Sequence, residues 1–158
     1  MCRMSATTNT ATNNTSKQIF SKVLVAIDGS EKSMDAAEYS ICISESYNAQ
    51  LYALNVIRVD PDLFISAKMP DYILEMKNES QKYLDKVKLK AREKTIQIKT
   101  EIIASLSVAG GIVEYAKNKN INLIVVGTRG ISGFKKLLIG SVASGVITYA
   151  QCPVLVVK

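Results

Sequence analysis

The stretch GTRGISGFKKLLIGS, residues 127–141, holds four of the chain's eight glycines together with the cations Arg129, Lys135 and Lys136. Gly127 and Gly130 remove side chains where the chain leaves an apolar run, so a ligand can approach the main chain closely. Gly140 and Ser141 open the helical pattern that follows. The free N–H groups and positive dipole end of a helix start favour an anion, and the Ser141 hydroxyl adds a donor. The chemistry open to such a segment is to hold a phosphate. It is neither G-x-G-x-x-G nor G-x-x-x-x-G-K-[ST], and glycine-rich connections between strand and helix also serve as plain turns. Arg129, Lys135 and Lys136 read equally as solvated loop cations, and Gly133 as part of the turn.

Other chemistry is narrowed by what the chain lacks. It contains no histidine, which removes the commonest general base and transition-metal ligand. Cys2, Cys42 and Cys152 are far apart and form no C-x-x-C pair, so neither a disulfide framework nor a zinc site is indicated.

The elements that must position the glycine segment follow from hydrophobic periodicity. KVLVAID (22–28), INLIVVGT (121–128) and PVLVVK (153–158) are short, nearly continuous apolar runs, the pattern of strands buried on both faces. QLYALNVI (50–57) is a fourth strand, and IQIKTEIIA (96–104) alternates as a strand with one wetter face, which suits a sheet edge. Between them, residues 30–48 begin with Ser30 as N-cap and continue at helical spacing. Residues 71–94 form a long amphipathic helix, residues 107–120 a third helix, and SVASGVITYAQ a fourth beginning at Ser141. RVDPDLFISAKMPD (58–71), with two of the three prolines, is a loop.

Strict alternation of strand and helix forces parallel strands, and right-handed crossovers put helices on both faces. The fold class is therefore a doubly wound α/β domain. Ligands in such sheets bind outside the carboxyl ends of the strands, where neighbouring connections part. The strands ending at Asp28 and Gly127 both point there, with Asp28 the one carboxylate candidate; a helix cap or turn former is a compatible role for it.

With 158 residues, the chain is long enough for one ordinary domain. Residues 1–18, rich in Thr, Asn and Ser, read as a disordered tail, and 19–158 as the domain. The tail has no apolar core of a secretory signal and too little amphipathic character for a transit segment, so the cytoplasm is the expected compartment. No run approaches the roughly 20 apolar residues of a membrane span. The formal net charge is +6, and residues 82–99 alone supply +5. That basic 82–99 helix is open to nucleic-acid binding, but interspersed acids and the lack of an aromatic platform favour a solvated face.

Taken together, KVLVAIDGSE, NLIVVGTRG, CPVLVVK and the spacing Gly127-x2-Gly130-x9-Gly140-Ser141 resemble the universal stress protein family of the ATP-binding type, from about Lys22 to Lys158. The resemblance implies a five-stranded parallel sheet of order 3-2-1-4-5, adenine nucleotide alpha hydrolase-like or Rossmann-like. It implies that Ala26, Ile27 and Asp28 lie at the base and adenosine, and that Val56 meets adenine through its backbone. Val126, Gly127, Arg129 and Gly130 would run along ribose and phosphates, with Gly140, Ser141, Val142 and Ala143 at the phosphate tail. It further implies ATP as ligand, alone or with Mg or Mn carried by the nucleotide, and a homodimer through strand 153–158. The expected role is a nucleotide-dependent regulatory or stress-response protein with an unknown protein partner. A slow ATPase or nucleotide-transferring enzyme is the alternative, with weak hydrolysis at most.

Overall fold

The computed structural model describes residues 19–62, 69–128 and 139–158; the tail expected over 1–18 lies outside them. Their order is β1 (Lys22–Ala26), α1 (Glu31–Tyr47), β2 (Gln50–Arg58), α2 (Met69–Glu93), β3 (Ile98–Ser105), α3 (Val108–Lys119), β4 (Leu123–Gly127), α4 (Ser141–Tyr149) and β5 (Val154–Val157). All strand pairs are parallel, and the sheet order is β3-β2-β1-β4-β5. This is the doubly wound α/β sheet that the alternation of elements requires.

Side chains alternate across the strands, and each set meets its own pair of helices. On one face Val23, Val25, Leu51 and Val125 pack with Ala37 and Ile41 of α1 and with Leu84, Val87 and Ala91 of α2. On the other, Leu24, Leu54, Ile124 and Val126 pack with Ile112 and Ala116 of α3 and with Ala143 and Val146 of α4. At roughly 25 cal/mol per Å² of apolar surface buried, these two layers carry most of the driving force for folding.

Polar side chains set the ends of the elements. Ser30 caps α1 by accepting from Ser33 N, and Ser107 caps α3 by accepting from Gly110 N. Asn48 and Asn120 end the same helices in left-handed conformations, with φ of 50° and 54°, a backbone region asparagine tolerates better than most residues. Asn122 Oδ1 accepts from both Ser21 N and Lys22 N at 3.0 and 2.7 Å. That single carboxamide fastens the start of β1 to the start of β4.

The basic segment 82–99 is not one helix. Its helical part stops at Glu93, Ile96 N turns back to Ala91 O at 2.9 Å, Thr95 takes φ of 60°, and Lys99 belongs to β3. Several of its cations are paired: Lys82 with Glu79, Lys90 with Glu38, and Lys94 with Glu45.

Candidate functional site

At the centre of the sheet β1 and β4 pair only over Val23–Val25 against Leu123–Val125. Beyond that point the two strands diverge and leave a cleft of about 640 Å³, its open mouth included. It sits at the carboxyl ends of the strands, as doubly wound sheets require. Ala26, Ile27 and Asp28 form one wall, Val126 and Gly127 another, and Val56 the inner side. Gly140, Ser141, Val142 and Ala143, at the start of α4, line it as well. Ten of the twelve residues expected from the sequence thus surround one space. The other two, Arg129 and Gly130, lie outside the described residues, as do Gly133, Lys135 and Lys136.

Strand β1 ends at Ala26, two residues before the expected Asp28. Ile27 N still donates to Leu54 O at 2.8 Å, but Gly29 then turns the chain with φ of +83°, a conformation that favours glycine. Asp28 Oδ1 accepts from Ser30 N at 3.0 Å and from Ser30 Oγ at 2.5 Å. Its own N–H donates to Ser33 Oγ at 3.3 Å. Asp28 therefore shapes the turn into α1 while it faces the cleft.

Gly127 has a packing reason that its sequence context does not reveal. A Cβ there would stand 2.7 Å from the Lys32 carbonyl carbon and 2.8 Å from its oxygen, so the missing side chain lets α1 lie against the end of β4. Gly140 is different. Its φ of −68° is open to any residue. Gly140 N donates to Thr128 O at 2.7 Å, which ties the two ends of the glycine connection together. Ser144 N makes the first helical hydrogen bond of α4, to Gly140 O. The N–H groups of Ser141, Val142 and Ala143 precede it and have no place in the helical ladder. Unlike Ser30 and Ser107, the glycine at this N-cap supplies no side-chain acceptor.

The sequence model of the universal stress protein family matches residues 20–158. The chain belongs to the universal stress protein family. A universal stress protein of Methanocaldococcus jannaschii is 39% identical over 144 residues, 90% of this chain and 84% of its own. Among solved structures, the universal stress protein UspA from Lactobacillus plantarum superimposes with a TM-score of 0.79 at 24% identity, covering 88% of this chain and 98% of its own. A universal stress protein from Archaeoglobus fulgidus, solved in complex with dAMP, gives a TM-score of 0.66 at 19% identity over 89% and 99% of the two chains.

In this universal stress protein several cleft residues were not legible as such. Leu54, Val108, Ile112, Ser33 and Thr128 also line the space. Val108 and Ile112 stand four apart on α3, a spacing that places them on one helix face and marks neither as a cleft wall. Thr128 follows Gly127 directly, and adjacency to the glycine motif was the one signal for it.

Proposed function

We propose that the chain binds ATP in this cleft and acts as a nucleotide-dependent regulatory protein of the stress-response type. One observation carries the reading: the apolar walls from Ala26, Ile27, Val56 and Val126 meet the N-terminus of α4 in a single cleft. The donor set fits the ligand at both ends. Apolar side chains suit the faces of a purine, and the N–H groups of Ser141–Ala143, which lie outside the helical ladder, with the Ser141 hydroxyl and the helix dipole, suit phosphate oxygens. Arg129 and Gly130 complete the motif in sequence. The dAMP complex of the Archaeoglobus fulgidus relative supports an adenine nucleotide. Mg or Mn, where needed, arrives with the phosphates.

Regulation is favoured over turnover because Asp28, the carboxylate at the cleft, already accepts two hydrogen bonds from Ser30. Those two bonds commit its Oδ1 to the turn into α1. The same reading puts the protein in the cytoplasm; among the described residues no helix is long and apolar enough to cross a membrane. It also pairs two copies through β5, an edge strand whose apolar row Val154–Val156 is only half-buried in one chain. The decisive experiment is mass spectrometry of nucleotide retained by the native purified protein, with ATP-agarose retention as its complement. Protein that carries no nucleotide and passes through ATP-agarose unretained would refute the reading.

A further inference from the structure

Asn55 is the only amide side chain in the middle of β2, and it is 7% exposed. The ladder between β1 and β2 ends at Ala26 and Leu54, followed by one further bond from Ile27 N to Leu54 O. In a regular parallel ladder the next bond would run from Val56 N to the Ile27 carbonyl. Instead Asn55 Nδ2 donates to that carbonyl at 2.7 Å. The carboxamide orientation is fixed chemically, since a carbonyl can only accept. Asn55 Oδ1 in turn accepts from Ser80 Oγ of α2 at 2.7 Å, a buried hydroxyl that also lies 2.7 Å from Met76 O.

We propose that Asn55 is a positioning residue for base recognition: by taking the Ile27 carbonyl from the ladder, it leaves the peptide edge of Val56 facing the cleft for a purine. The inference rests on the nucleotide reading above. Leu54 and Val56, two apart, present their main-chain groups to the same side of the strand. Leu54 O spends itself on Ile27 N, whereas Val56 borders the cleft just past the last bond of the ladder. A peptide edge offers one donor and one acceptor side by side. Adenine has the complementary pair, a ring nitrogen acceptor beside an amino donor. Guanine has the reverse polarity along that edge. Ser80 restrains Asn55 from the α2 side, so the register of base and strand is held by α2 as well as by the sheet.

The test compares ATP and GTP binding to the full chain by titration calorimetry. In wild type ATP binds more tightly than GTP. Asn55→Leu, of similar volume, is expected to weaken ATP about tenfold and GTP no more than about twofold, the scale of one misaligned hydrogen bond. The preference for ATP then largely disappears. A purely architectural role would weaken both nucleotides in parallel and would overturn the proposal. Should Asn55→Leu fail to fold, Ser80→Ala leaves the Ile27 contact in place and removes the restraint on Oδ1 together with the hydroxyl's contact to Met76 O. Its preference is expected to fall about threefold, a fraction of one hydrogen bond, and an unchanged preference overturns the proposal. Wild-type protein that binds neither nucleotide would refute the nucleotide reading itself; wild-type binding without preference, or a preference that survives both substitutions, would refute only the role of Asn55.

Discussion

The ring of Tyr83, on α2, occupies the space that a side chain on Gly29 would need: a Cβ built there stands 2.5 to 2.7 Å from three ring carbons. Gly29 combines this contact with a φ of +83°, so two separate penalties await any substitution. Gly29→Ala is expected to cost about 1–3 kcal/mol, the left-handed backbone accounting for about 1–2 of it. In a Tyr83→Ala background the same change should cost only the backbone part. Urea denaturation of the four proteins in this double-mutant cycle measures the difference.

Gly127 and Gly140 should respond in opposite ways. Gly127→Ala drives a methyl against the Lys32 backbone and lowers stability by about 1–3 kcal/mol, as overpacking does. Gly140→Val meets no backbone objection at φ of −68°; it keeps the melting temperature within a few degrees and abolishes ATP-agarose retention. Thermal melts and retention on the same preparations decide the matter, and Gly140→Val that still binds ATP contradicts the placement of the phosphates.

Acid should act through Glu101. Burial alone raises its carboxyl, but the Tyr115 hydroxyl and the Lys119 ammonium outweigh that and hold the group below its ordinary value; Lys119 Nζ lies 3.1 Å away. A lowered folded value means that the stabilisation is complete above the unfolded pKa, about 4.3, and fades as pH falls through the folded one. Both partners are partly exposed, so Glu101→Gln should cost less than about 1 kcal/mol at neutral pH. The gap to wild type should shrink as pH falls below the unfolded value and through the lowered folded one. Denaturation curves at several pH values test this; a gap that widens in acid would contradict the sign.

The cysteines should separate kinetically. Burial pushes the Cys152 thiol up, and its reactive thiolate is scarce at neutral pH, whereas Cys42 is exposed. Iodoacetamide is expected to label Cys42 well before Cys152 in the native protein, and both alike in urea. Peptide mapping of timed samples reads the order.

The proposed pairing through β5 makes a further demand. Pro153 O and Val157 O accept from Ile124 N and Thr128 N of the neighbouring connection, so the odd-numbered residues of β5 face β4 and Val154 and Val156 turn their N–H groups to the open edge. Val156→Pro removes an outward donor without touching the β4 ladder. Light scattering at low micromolar concentration should give dimer mass for wild type and monomer mass for Val156→Pro.

Much of the architecture could be read from the chain because it depends on long runs. The strand order needed the family resemblance, since alternation alone permits several orders. The cleft was legible where it depended on backbone and spacing, as at Gly140 and Ser141. It was illegible where a side chain's duty depends on a distant partner. Nothing around Asn55 announces that it reaches Ile27, 28 residues earlier, and nothing around Gly127 announces Lys32. The end of β1 was misjudged by two residues for the same reason. The run Ala26-Ile27-Asp28 looks continuous, and only the Asn55 amide and the turn at Gly29 break it.

Asn122, far from the cleft, gives the sheet its mechanics. One carboxamide clamps β1 and β4 together at their first residues, and their pairing stops after three further positions. The two central strands are thus joined to each other at the base, while each tip is held by its outer neighbour, Ile27 by β2 and Gly127 by β5. A ligand seated between the tips would span the seam between β3-β2-β1 and β4-β5 at the end where the two halves share no ladder, a seam that α1 already bridges where it lies against Gly127.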